Sequence, residues 1–383
     1  MAHAENAAQF LAGKSDAIEK SRRVPDEIAR HLARQGLYRL LTPAAYGGFE
    51  TSVEAYLRVV ERVAMADAAV AWCLFVGNTS TLVGAYLEPD EARKLFADPE
   101  LVMAGVFAPR GTAKCATQDG VDGYRVSGRW SWGSGAHNAQ FISGGCLVIG
   151  DDGKPETLPD GTPIVRSMVF PIGQVTLHDT WHAVGLCGTG SGDFEVRDVF
   201  VPKRRSLSLM ADTPLKRPLY QFPVFGLLGI GIAGVALGIA RVAIETLLDL
   251  AGKKTPQGSA KPLAQRPTTQ QEVARAEATL RSARSYLFEA IAAAQQDAEH
   301  GGPISLERRR DIRLATTHAT HAAASVVQRM YLLAGGSAVF TSSPLQRCLR
   351  DVNVATQHMM VSEATFELAG RVFLGLPTNA AMI

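Results

Sequence analysis

The 383-residue chain has almost no surplus of charge, with 39 Lys and Arg against 37 Asp and Glu. It has no basic run long enough to follow a phosphate backbone, so nucleic acid is not an expected partner. Cysteine is scarce as well. The five residues Cys73, Cys115, Cys146, Cys187 and Cys348 are odd in number, widely spaced and without a CxxC pair. Neither a disulfide framework nor a cysteine metal site is expected from that spacing. The N-terminal stretch MAHAENAAQFLAGKSD lacks the continuous apolar core of an export signal, and with reduced thiols this makes the cytoplasm the expected compartment. Also missing is a GxGxxG that opens a βαβ unit, so no nicotinamide site is expected in this chain.

One long apolar run is present, at Phe222 to Ala240 (FPVFGLLGIGIAGVALGIA), with the length and polarity of a membrane span. Several glycines interrupt it, and it continues into RVAIETLLDLAG with apolar positions at helical spacing. A helix buried among other helices is therefore expected, and no membrane partner.

With 46% hydrophobic and 20% charged residues, the chain is long enough to bury substantial cores. Residues 1–100 carry helical periodicity in VPDEIARHLARQGLYRLL and SVEAYLRVVERVAMADAAVAWCLF. From 101 to 205 the pattern changes to short alternating runs such as YRVSGRWSW, FISGGCLVI, SMVFPI and DFEVRDVFV, punctuated by DG, GG and Pro. From 206 to 383 long helical patterns return at about 223–251, 268–299, 304–334 and 345–374. The expected fold class is α+β: an N-terminal helical domain, a central β-barrel-like domain and a C-terminal four-helix bundle.

Three segments carry a resemblance over the whole chain. They are LTPAAYGGFE near residue 45, WHAVGLCGTGSGDFEVRDVFVP at 181–202, and SSPLQRCLRDVNVATQHMMVSEATFELAGR at 342–371 with its Arg350–Asp351 pair. Together they resemble the acyl-CoA dehydrogenase superfamily, and the expected architecture is acyl-CoA dehydrogenase-like. Dehydrogenases of the common type place a catalytic glutamate shortly after the Arg-Asp pair. Here that slot holds Met359, whose thioether cannot accept the substrate α-proton. His358, one residue earlier, matches a histidine of the oxygenase branch, the oxygenase components of two-component flavin-dependent monooxygenases.

The resemblance implies reduced flavin, FMN or FADH2, delivered by a separate NAD(P)H-flavin reductase, with O2 as co-substrate. It implies a C4a-hydroperoxyflavin that hydroxylates a small aromatic or heteroaromatic substrate, indolic or phenolic, and a homotetramer. His358 and Ser134 are then the candidate catalytic residues. Trp132, Ser134, Thr189, Gly190, Ser191 and Arg266 are the candidate flavin contacts, while Trp72, Phe107 and Met359 are candidates for the substrate pocket. His358 would orient or deprotonate a phenol or indole N–H, or hydrogen-bond the peroxide. From the residues alone, His358 is equally a packing group on a helix, Trp130 and Trp132 are alternate residues on one strand face, and Arg266 is a solvated loop residue.

Two histidine pairs, His178 with His182 and His318 with His321, have spacings found among metal ligands but no third ligand. No metal is expected. Glu363 and Glu367 read as a solvated helix face. Two other functions fit the same sequence: an acyl-CoA dehydrogenase or flavin oxidase with its base relocated, for instance to Glu245, and a flavin-free binding or assembly subunit.

Overall fold

The computed structural model describes residues 1–159, 161–379 and 383. The N-terminal part is helical, with α1 (Ala2–Leu11), α2 (Ser15–Ser21), α3 (Asp26–Arg34), α4 (Val53–Ala64), α5 (Ala68–Thr81) and α6 (Pro89–Leu95). Side-chain caps fix two of the starts: Ser52 Oγ accepts from Ala55 N ahead of α4, and the Asp67 carboxylate accepts from Val70 N ahead of α5. Tyr56, Leu57, Val60 and Val63 recur along one face of α4, and all four are buried. Helix α5 is buried on nearly every side, which its run AAVAWCLF permits.

The middle region forms one mixed sheet, ordered β5-β6-β2-β1-β3-β4-β7. Its strands are β1 (Met103–Gln118), β2 (Val121–Trp130), β3 (Phe141–Ile149), β4 (Val165–Pro171), β5 (Thr176–His178), β6 (Asp193–Pro202) and β7 (Ser206–Leu207). Strand β1 pairs antiparallel with β2 and parallel with β3, and its register with β3 slips between Val106 and Gly111 around Pro109. An irregularity at proline is expected, because proline donates no ladder hydrogen bond. The core of this region centres on Trp130, which stacks on Phe194 at 4.8 Å and donates its indole N–H to the Gly145 carbonyl at 2.8 Å.

The C-terminal part holds α7 (Val224–Lys253), α8 (Pro267–Glu299), α9 (Leu306–Ala334), α10 (Pro344–Thr356) and α11 (Ala364–Phe373). The sequence pattern predicts one helix over 345–374. Instead the chain leaves α10 after Thr356, makes a short 3-10 turn at Met359–Val361, and restarts as α11. His358 is therefore not on a helix but at the break.

The apolar run lies inside the protein. In α7 the most apolar window has mean hydropathy 2.2, and 83% of it is buried. Helices α4 and α5 cover one side of α7 and α9 covers another. Approach to α4 is so close that a Cβ on Gly238 would come within 2.6 Å of the Ala64 Cβ, which explains a glycine in mid-helix despite its cost to the helix. The largest core consequently runs from Ala4 to Val361, joining the N-terminal helices to the C-terminal ones. Each fully buried Leu, Ile or Val in it contributes about 1.5–3 kcal/mol. The β region keeps its own core of Trp130, Ile142, Phe170, Phe194 and their neighbours.

Candidate active site

Two turns meet at one end of the sheet, where β2 ends and β6 begins. Gly133 N donates to Gly192 O at 2.9 Å, and Gly135 N donates to Thr189 O at 3.0 Å. Trp130 and Trp132 do not share a strand face: β2 stops at Trp130, which is fully buried, whereas Trp132 lies beyond it at φ +67° with 68% of its surface exposed. A non-glycine residue in the left-handed region is uncommon, and it concentrates at functional turns. Here it turns outward an indole that strand alternation would have put on the buried face of Trp130.

Behind Trp132 lies a chain of buried hydroxyl groups. Trp72 Nε1 reaches Ser134 Oγ at 3.1 Å, Ser134 Oγ lies 2.6 Å from Ser191 Oγ, Ser191 Oγ lies 2.6 Å from Thr189 Oγ1, and Thr189 Oγ1 reaches the Leu186 carbonyl at 2.8 Å. The proton positions follow from which atoms can donate. A carbonyl only accepts, so the single Thr189 proton goes to Leu186. Ser191 must then donate to Thr189, and Ser134 to Ser191, while the Trp72 indole can only donate. Ser134 therefore offers a lone pair, not a proton, to anything bound beside it.

The far end of this chain is anchored by the Arg350–Asp351 pair. Asp351 Oδ1 accepts from Leu186 N at 2.6 Å, and Arg350 Nη1 donates to Val184 O at 2.6 Å. Leu186 is held at φ +48°. Gly185 is needed for the approach, since a Cβ there would lie 2.4 Å from the Arg350 carbonyl oxygen. Burial pushes the Asp351 carboxyl up to about 7, and the Leu186 N–H opposes that shift.

The Trp72 ring also packs against His358, with ring centroids 5.9 Å apart. Its Nδ1 accepts from Met360 N at 3.2 Å. From α9, Arg313 Nη1 donates to Met360 O at 2.5 Å and His321 Nε2 donates to Val361 O at 2.9 Å. These contacts break the helix where the sequence carries neither glycine nor proline. Burial, and second the Arg313 guanidinium, push the His358 imidazole down to about 4. Arg313 is itself buried without a carboxylate partner among the described residues, and burial pulls it down to about 10. Its Nε has no partner there either.

The structure thus brings Trp72, Ser134, Ser191, Thr189 and His358 into one cluster, with Trp132 and Met359 exposed at its surface. Phe107, on β1, packs edge-on against Phe225 of α7 at 6.2 Å. Gly190, at φ +56°, has its Cα facing Arg23 and His137. Arg266 is exposed at the start of α8, with no side-chain hydrogen bond found among the described residues. Glu245 is exposed on α7 and Glu363 is exposed ahead of α11. His178 faces Glu195, His182 faces Arg22, and His318 lies by the Tyr286 ring. Surface clefts of about 450 Å³ beside Arg125 and Arg205, and of about 400 Å³ beside Arg347 and Arg350, contain none of the clustered groups.

Sequence reading missed Arg313. A signal for it existed: it shares a helical stripe with Thr316, Thr317 and Thr320, all buried, so the pattern places a cation on an inward face. An exposed indole two residues from a buried hydroxyl acceptor suits a flat apolar ring with a polar edge, as a flavin has.

Residues 2–88 match the family model of the acyl-CoA dehydrogenase N-terminal domain, and residues 230–363 match that of the acyl-CoA dehydrogenase C-terminal domain. The chain is 31% identical over 358 residues to the indole-3-acetate monooxygenase of Pseudomonas putida, covering 94% of this chain and 89% of that protein. It is 32% identical over 354 residues to the indole-3-acetate monooxygenase of Acinetobacter baumannii, covering 92% and 88%. Among solved structures, XiaF from Streptomyces sp. in complex with FADH2 and glycerol is similar with a TM-score of 0.89 at 26% identity, covering 98% of this chain and 94% of that one.

Proposed function

Since this chain belongs to the acyl-CoA dehydrogenase superfamily, in its branch of flavin-dependent monooxygenase oxygenase components, we propose that it hydroxylates a small indolic or phenolic ring with O2 and reduced flavin. The flavin, FMN or FADH2, comes from a separate NAD(P)H-dependent reductase. One observation carries the reading: where a dehydrogenase needs a carboxylate there is the exposed thioether of Met359, next to a histidine held against Trp72.

When bound, the reduced flavin supplies the two electrons that let one oxygen atom enter the substrate while the other leaves as water. The protein's share is to bind, orient and exclude. Trp132 would cover one face of the ring. Ser134 accepts a hydrogen bond from a ring N–H, a group the reduced ring has at the position where the oxidised ring has none. Thr189 and Ser191 hold the Ser134 hydroxyl in that state. Trp72 and Phe107 would wall the apolar space in which the substrate displaces water, with His358 beside Trp72. Arg266 would pair with a flavin phosphate, from a neighbouring subunit of a homotetramer.

The test is anaerobic titration with reduced FMN and FADH2, followed by mixing with O2 and an aromatic substrate and counting product per reduced flavin consumed. A yield well above that of free reduced flavin supports the reading. Quantitative hydrogen peroxide release with every aromatic tried, together with flavin reduction by a CoA ester, overturns it in favour of a dehydrogenase or oxidase.

A further inference from the structure

We infer that His358 acts as a neutral hydrogen-bond donor through Nε2 and not as a base, so that the site takes a ring that reacts without first losing a proton, a neutral indole and not a phenol. This rests on the monooxygenase reading for its substrate, and on the geometry of the helix break, with burial in support, for the state of the histidine.

The geometry starts at the helix break. Met360 N lies 3.2 Å from His358 Nδ1, and a backbone amide nitrogen can only donate. Nδ1 must therefore present its lone pair inward, and the single proton of the neutral ring is on Nε2. No described residue accepts from Nε2.

The tautomer is held by the turn, and the turn is held from α9. Arg313 fixes the Met360 carbonyl, His321 fixes the Val361 carbonyl, and Ser362 Oγ donates to the Met359 carbonyl at 3.2 Å. Releasing Nδ1 to take a second proton would break the Met360 contact.

The surroundings oppose a positive ring as well. The Arg313 guanidinium faces it from α9, α5 contributes the uncharged Trp72, and its own turn contributes the uncharged Met359 and Met360. No carboxylate facing the ring is found among the described residues, and burial acts in the same direction as Arg313. A ring with its lone pair engaged and its N–H free can donate to an oxygen, whether of the oxidant or of the substrate. It cannot take a proton from a phenol at Nε2.

That difference selects substrates. A phenol ring carbon becomes strongly nucleophilic only after the O–H proton has gone to a base. An indole ring carbon is nucleophilic with its N–H in place, so the new carbon–oxygen bond forms directly as the O–O bond of the oxidant derived from O2 and reduced flavin breaks, its second oxygen leaving as water. The ring hydrogen displaced when aromaticity returns leaves to water.

Two measurements test this on the full-length protein. The first is nitrogen-15 NMR of histidine-labelled protein, with the His358 signals assigned by their loss in H358Q. The Nε2–H tautomer, unchanged from pH 8 to pH 5, is the expected result, whereas an Nδ1–H tautomer or a titration near the ordinary value overturns the inference. This readout is independent of turnover, so it stands even if no aromatic is hydroxylated.

The second compares product per reduced flavin in H358A, H358N and H358Q with indole and with phenol as probes. H358A and H358N are expected to lose about 10²-fold, the order seen when a positioned donor is removed. H358Q, whose amide N–H reaches the Nε2 position but cannot take a proton, is expected to recover most of that loss with indole. An H358Q as poor as H358A, or a wild type that prefers phenol with a rate rising through a pKa, overturns the donor assignment.

Discussion

Where the Trp72 indole N–H meets Ser134 every hydroxyl proton is assigned: the chain Ser134, Ser191, Thr189 passes hydrogen bonds toward Leu186 and leaves a lone pair at Ser134. At His358, which packs against the same Trp72 ring, the assignment is the reverse, because its lone pair is engaged by Met360 and its N–H is free. One side accepts and the other donates, and neither holds a charge. The two polarities are set by groups remote from the open face, Asp351 through Leu186 in one case and Arg313 through Met360 in the other. Preorganised dipoles of this kind need no rearrangement when a ligand arrives.

The largest expected effect comes from removing the residue common to both sides. Trp72→Ala should cost about 3–5 kcal/mol, as large-to-small changes at buried aromatics do, and chemical denaturation measures it. A loss under about 1 kcal/mol, the scale of one ordinary hydrogen bond, would mean the two sides are not joined through this ring.

Ser191→Ala cuts the hydroxyl chain in the middle and should cost about 1–3 kcal/mol, the range for leaving buried polar partners unsatisfied. It also frees the Ser134 proton. Affinity should consequently shift from reduced toward oxidised flavin, as measured by paired titrations. An unchanged ratio of the two affinities would remove the acceptor role of Ser134.

A smaller effect is expected from Asp351→Asn, which keeps an acceptor for Leu186 N but removes the titration. Since burial raises the Asp351 carboxyl from the ordinary 3.8 to about 7, the folded state holds a proton that the unfolded chain has released. That contribution to stability is complete below about pH 4 and is lost as pH rises through 7. D351N should therefore gain on wild type between pH 5 and pH 8 in urea denaturation. An equal difference at both pH values would show that Asp351 is ionised throughout.

The smallest effect should come from Arg266→Ala. The residue is exposed, so stability should move within about 0.5 kcal/mol, while affinity for reduced FMN falls if Arg266 meets the phosphate. Equal affinity in wild type and variant would leave Arg266 a solvated loop residue.

What could be read from the sequence was what is local. FISGGCLVI gives β3 at Phe141–Ile149, and the helical patterns at 223–251 and 268–299 give α7 and α8 to within two residues. Alternation failed at Trp132, where a left-handed backbone turns the ring outward. Helical periodicity failed at His358, because the groups that break the helix, Arg313 and His321, come from another helix. The hydroxyl chain joins residues separated by 62 and 57 positions, and no local pattern carries such a pairing. Ser134, Ser191 and Thr189 were visible as small hydroxyl residues in turns, but not as members of one chain.

Helix α7 also constrains how the molecule is made. Its covering helices α4 and α5 precede it by the whole β region, so on the ribosome they emerge with their apolar faces uncovered and wait until α7 has been synthesised. Contacts this distant along the chain slow folding and prolong that exposure. A chain stopped at residue 205 would present an unpaired half-core and aggregate, whereas a cut after α7 and before α8 leaves those partners in place.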